Sequence, residues 1–332
     1  MLRGLKLGAI LVVVLIGSIA PQVNNGQETT EPLIAGVARK DGVIVPFGLY
    51  KNEHWSKIGP ETCSDKPMSS DTAEVLAAFG GIKRIPLAWF LWTEDGERPV
   101  ILKVSKPVTV QSHCCEQWGL ATGPNTVFKA DSFPFPKIGV ALSKPVKVEL
   151  MRRLDPADAE AKSLLTFFSP RFETLEEAAL HVKQDNANGL ELREVLNAFY
   201  GAHIGSPQQT VLLKLQSAFC SRNALNGRTL FHVEVTKEYP AASCPVVAYG
   251  SFWISKDPKG TYTLLKQNGT SVYFFDCDQK GAGFFTPFGI VVGDKSTYVL
   301  GQSSGWENEW YLIIEVFDDE VKVVLQKDGG GC

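Results

Sequence analysis

The sequence predicts a mainly β protein of the α+β class, with antiparallel sandwich- or barrel-like sheets and a central helical segment. Three observations carry that expectation. Apolar residues alternate at period two toward both ends of the chain, as half-buried strands require. Between residues 155 and 201 the spacing changes to that of a helix face. Strands do not alternate with helices, so a doubly wound or TIM-barrel architecture is not expected.

Composition narrows the class. With 332 residues, 44% apolar and 10% aromatic, the chain can bury a core and is too apolar for disorder. Its 33 basic and 36 acidic groups leave no basic footprint, so nucleic acid is not an expected partner. No stretch reaches ~18 unbroken apolar residues, which excludes a polytopic membrane protein.

Residues 1–20 read as a signal peptide. Arg3 and Lys6 supply the positive start, Leu7 to Ala20 the apolar run, and Pro21, Gln22 and Asn24 the return to polarity. The run is shorter than the ~20 residues of a spanning helix. Ser18-Ile19-Ala20 has the small-x-small form of a cleavage site, although Pro21 is a poor residue after the cut. The expected location is secreted, periplasmic or otherwise extracytoplasmic. An uncleaved segment, acting as an N-terminal membrane anchor, is the alternative. Residues 21–32 follow as an exposed polar leader.

Residues 33–152 form an N-terminal β-rich region. Leu33, Ala35 and Val37 alternate, as do Val43, Val45, Phe47 and Leu49. Between them Asp41-Gly42 marks a two-residue hairpin turn that needs positive φ. A second hairpin is predicted from 85–92 to 100–104, and a strand over 146–151. Residues 56–72 and 111–137, rich in Pro, Gly, Ser and Cys, read as loops.

Residues 153–205 form the helical segment. Asp155-Pro156 offers an N-cap and a first-turn proline, and Ala157, Ala161, Leu164, Leu165 and Phe168 share one face. Ser169-Pro170 is expected to end that helix. Thr174-x-x-Glu177 caps a second, which Asn188-Gly189 stops. Leu192, Val195, Leu196 and Phe199 mark a third. Residues 206–328 return to β, with strands at ~8–12 residue spacing, as in an antiparallel sandwich, barrel or meander. Residues 329–332 form a flexible tail.

The seven cysteines suit an oxidising compartment. Cys63, Cys114, Cys115, Cys220, Cys244 and Cys277 are the candidate disulfide cysteines. The odd one, expected free or intermolecular, is Cys332 behind its Gly-rich tether. No Cys-x-x-Cys occurs, so thioredoxin-type redox chemistry and paired-cysteine zinc sites are not expected.

Four patterns have the outline of chemistry. Gly301-Gln302-Ser303-Ser304-Gly305 matches the nucleophile elbow, but a strand rather than a helix follows it and no His lies after Ser303. It reads as a small-residue loop between strands. Ser112-His113-Cys114-Cys115-Glu116 holds metal-ligand side chains, yet neighbours on a strand point to opposite faces and no second cluster completes a site. Gln184 to Val195 imitates a calcium loop without its first and last carboxylates. The seven tryptophans offer stacking surfaces for a glycan or apolar ligand, though packing is the commoner use; Trp310 shares a strand face with Leu312, Ile314 and Val316 and reads as core.

No motif spans enough of the chain to carry a function over by resemblance. No metal site, cofactor site or catalytic residue is assigned, and the partner stays open. The lack of a catalytic constellation favours a non-enzymatic extracytoplasmic binding or scaffold protein. The runner-up is a secreted hydrolase whose carboxylates are scattered over a β scaffold.

Overall fold

Period-two alternation yields twenty strands among the described residues, which are mainly β, as the sequence predicts. The computed structural model describes residues 32–59, 71–79, 82, 84–93, 98–112, 115–123, 137–186, 211–225, 227–239, 245–268, 272–275, 282–293, 296–305 and 308–331. All lie within one unit of the chain, Pro32–Cys332.

The first sheet is built from β1 (Leu33–Arg39), β2 (Val43–Lys51), β3 (His54–Lys57), β4 (Ala88–Trp92), β5 (Val100–Lys103), β6 (Lys106–Ser112), β7 (Cys115–Ala121) and β8 (Lys137–Leu142). Its order is β5-β4-β8-β1-β2-β7-β6, with β3 beside β2. Helix α1 (Thr72–Ala78) starts at Asp71, whose side chain accepts from the Ala73 N–H.

Two local expectations change here. The β1–β2 loop has three residues, Lys40-Asp41-Gly42, since Ala38 faces Ile44. Gly42 takes the positive φ, +82°. Asp41 does not; its carboxylate accepts from the Arg39 guanidinium at 2.6 Å and from the Val43 N–H at 3.3 Å. Residues 111–121, expected as loop, belong mostly to the β6–β7 hairpin, where Thr109 faces Trp118 and Ser112 faces Cys115. Positions 113 and 114 lie outside the described residues.

The chain then feeds two further sheets. Strand β9 (Val148–Glu149) pairs with β17 (Phe284–Val292), and β10 (Arg152–Arg153) with β11 (Lys214–Leu225). Strands β12 (Arg228–Tyr239), β13 (Val246–Lys256) and β14 (Tyr262–Leu264) extend one sheet in the order β10-β11-β12-β13-β14, with β16 (Val272–Phe275) also on β13. The other sheet runs β15 (Lys266–Gln267), β20 (Glu320–Gly331), β19 (Asn308–Val316), β18 (Thr297–Ser304), β17, β9.

This last sheet is central, and both of its faces are covered. Tyr298, Leu300, Tyr311, Ile313 and Leu325 pack with Val37, Val45 and Phe47 of the first sheet. Their neighbours Val299, Ile314, Val316 and Val321 point the other way, onto Phe219, Leu230 and Trp253 of the third sheet. The outer face of the first sheet packs on α1, through Val75 and Phe79 against Ile44, Trp89 and Leu120. The outer face of the third carries the long helix α2 (Ala159–Asn186), described below. The layers therefore run α1, first sheet, central sheet, third sheet, α2.

The expected stop at Pro170 is not observed. Helix α2 continues through it from Ala159 to Asn186. Pro170 cannot donate to Thr166 and crowds the preceding turn. Next to it the Arg171 guanidinium donates to the Phe167 carbonyl at 2.7 Å and stacks on the Phe167 ring 3.9 Å from its centroid. Leu164, Phe168, Phe172 and Ala179 keep one buried face across the proline, against Val233, Ala248 and Phe252. The second helix thus merges with the first; the third, at 192–199, and the Asn188-Gly189 stop lie outside the described residues.

Glu176, on that buried face, accepts from Tyr239 Oη at 2.5 Å and from Lys237 Nζ at 3.1 Å. Both charged side chains are almost fully buried. Removing one partner of such a pair strands the other. Glu176→Ala is expected to lower the free energy of unfolding by about 3–5 kcal/mol in urea titrations. Glu176→Leu with Lys237→Met is expected to recover most of that loss, because an apolar pair of similar volume carries no desolvation cost.

Candidate functional site

The third sheet turns one set of alternating side chains toward the central sheet. On β12 these are Leu230, His232, Glu234 and Thr236; on β13 they are Val247, Tyr249, Ser251 and Trp253. Opposite them, β18 contributes Val299, then Gly301 and Ser303, with Gly305 just beyond. The facing side chains shrink along β18 from Val to Gly and Ser, and the sheets leave a pocket of about 800 Å³ between them.

Ser303 therefore lies on a strand, not in the loop the sequence suggested. It pairs with Phe285 on one side and Trp310 on the other. Gly301 is obligatory there, since a Cβ would run into the Phe285 ring and meet the Thr286 carbonyl oxygen at 2.8 Å. With no turn into a helix, Ser303 lacks the elbow that would make it a nucleophile. Its hydroxyl lines the pocket.

The pocket floor is aromatic. The His232 ring lies 4.7 Å from Trp253 and 4.9 Å from Phe285, centroid to centroid. Trp310, Leu312 and Ile314 from β19 and Val321 and Val323 from β20 form one wall. Trp310 does share a strand face with Leu312 and Ile314, as expected, but that face borders the pocket. Tyr273, Asn268 and Asn308 stand at the exposed rim.

His232 Nε2 is 3.0 Å from Ser251 Oγ. Its Nδ1 is buried without a hydrogen-bond partner. Burial alone pushes the imidazole down to about 3, so the ring is neutral over the physiological range. Behind the pocket wall, the buried Glu234 carboxylate accepts from Tyr249 Oη at 2.7 Å, the Phe285 N–H at 2.6 Å and Ser217 Oγ at 2.8 Å. Desolvation raises its pKa and these three donors oppose that rise. Tyr249 Oη also reaches the Gly283 carbonyl, 3.0 Å away. The described lining holds no carboxylate, lysine or arginine.

The remaining candidates lie elsewhere. His113 is outside the described residues. Cys220, expected in a disulfide, is instead a buried free thiol. It sits on the helix-facing side of β11, within the α2 core, and desolvation pushes its pKa up, although Arg152 bonds to it. That combination suits packing better than reactivity. Cys63, Cys114, Cys244, Cys277 and Cys332 fall outside the described residues, as does the Cys115 side chain. Among the described residues no group of three or more His, Cys, Asp or Glu could hold a metal ion. Trp306, Gly269 and most of the calcium-like loop, 187–195, are also outside them.

Sequence reasoning named Ser303 and Trp310 but did not join them. It missed Tyr249, Ser251 and Asn308 altogether, because strands distant in sequence supply them. No protein-family model, curated protein or solved structure matches the chain.

A buried neutral His has a definite acid signature. Its contribution to stability is complete above the unfolded-chain value of ~6.5 and is lost as the pH falls toward about 3. Between pH 7 and pH 4 the wild type is expected to lose about 3 kcal/mol more than His232→Gln, at ~1.4 kcal/mol per pH unit. Urea midpoints for the two proteins at both pH values measure this, since the titration of Glu234 and other groups is common to both.

Proposed function

We propose that the chain is an exported, non-catalytic binding protein whose ligand is an uncharged small molecule held between the central and third sheets. One observation carries the reading: a pocket of about 800 Å³, floored by Trp253 and Phe285, walled by Trp310, and without a charged side chain in its described lining. That volume is in the range of small-molecule sites, about 300–1,000 Å³. Export rests on the basic start and the apolar run Leu7–Ala20, and disulfides among the remaining cysteines would accord with it.

The Ser251–His232 contact favours a second reading, a serine hydrolase. Three features weigh against it. The imidazole is too strongly desolvated to take a proton near neutral pH. Its Nδ1 has no acceptor to orient it. Its ring is held in an aromatic cluster with Trp253 and Phe285.

N-Phenyl-1-naphthylamine, a neutral aromatic probe, is expected to bind with one-to-one stoichiometry and enhanced emission. Ser303→Trp, which fills the space, is expected to abolish that binding while the far-ultraviolet spectrum stays β-rich. A fluorophosphonate is expected to leave Ser251 and Ser303 unlabelled. Absent probe binding, or labelling lost in Ser251→Ala, would contradict the reading.

A further inference from the structure

Resting on that reading of the pocket, we infer that its ligand is an uncharged saccharide. Three kinds of group meet there. Trp310 and Tyr273 present half-buried and exposed aromatic rings. Asn268, Asn308 and Ser303 add amide and hydroxyl groups to the lining. His232 Nδ1 is a buried polar atom that lacks a partner.

The chemistry of each group narrows the ligand. An aromatic face is electron-rich, and the C–H groups on one face of a pyranose ring carry partial positive charge, so the two stack. The sugar's hydroxyls, standing around the ring edge, both donate and accept, as amides and serine hydroxyls do. A wholly apolar ligand would cover the Ser303 hydroxyl without a partner, which disfavours lipid. An anionic ligand would find no lysine or arginine in the described lining. A cationic one would find no carboxylate in the described lining, and nearby Glu234 is already engaged with Tyr249, Ser217 and the Phe285 N–H.

Spacing agrees with an elongated neutral ligand. Ser303 and Trp310 are cross-strand partners, so a hydroxyl and an aromatic ring stand side by side on one sheet face. Tyr273 pairs with Tyr249 on the facing sheet and carries the aromatic surface out to the rim, 48% exposed. Asn308 lies two residues before Trp310 on β19 and, on the pleat, faces the same way.

The test uses the full exported chain on an array of neutral, sialylated and sulfated glycans, followed by titration of the best neutral member against bound N-phenyl-1-naphthylamine. Neutral glycans are expected to bind and displace the probe, and the sialylated and sulfated ones are not. Trp310→Ala is expected to weaken glycan binding roughly tenfold or more, through loss of stacking. Asn308→Ala, an exposed change that leaves the core intact, is expected to weaken it by about fivefold. If the probe binds but no neutral glycan does, or if adenosine displaces the probe better than any glycan, the saccharide assignment is wrong while the pocket stands. If neither probe nor glycan binds, the binding-protein reading falls as well.

Discussion

The fold depends on one constraint: the central sheet packs against another sheet on each of its two faces. Its inner strands β18 and β19 serve two cores at once, so their buried side chains cannot be charged unless they are paired. Most positions obey by being apolar, Tyr298, Leu300 and Ile313 toward the first sheet and Val299, Ile314 and Val316 toward the third. Beside Ser303 and Gly305, at the end of β18, the central and third sheets leave the pocket between them. The candidate site is thus a consequence of the layering: a gap lined by whatever the two sheets point into it.

Buried carboxylates recur at the layer boundaries. Glu309 on the central sheet lies 2.6 Å from Lys137 of the first sheet. Glu234 on the third sheet accepts from the Phe285 N–H of the central one, and Glu176 on α2 accepts from Lys237 and Tyr239 of the third. Such groups add little net stability compared with apolar packing. They do penalise any sliding of one layer over the next, because a slipped carboxylate is buried without its donors. Rigid layers in turn hold Trp310 and Trp253 in place on either side of the pocket.

Much of the strand pattern was legible because alternation survives whichever face is buried. The hairpins from β1 to β2 and from β4 to β5 and most C-terminal strands stand where the sequence put them. What alternation conceals is what covers the second face. His232 and Glu234 alternate with Phe231, Val233 and Val235, the usual mark of a solvent-facing polar row, yet another sheet lies over them. Pro170 misled for a related reason: the buried face of Phe168 and Phe172 outweighs the local break. Ser303 was visible as a motif, but only its partners Phe285 and Trp310 turn it from loop into strand. The pocket assembles from β12, β13 and β17 to β20, which no local spacing could announce.

Ile313 and Ile314 offer the most direct test of the central claim. They are chemically identical neighbours on one strand, 0% and 5% exposed, pointing into different cores. If the sheet is covered on both sides, Ile313→Ala and Ile314→Ala each lower the free energy of unfolding by about 2–5 kcal/mol in urea titrations, with unchanged slope. If one of the two changes falls within about 0.5 kcal/mol of wild type, as surface substitutions do, the sheet has a free face and the layered account is wrong.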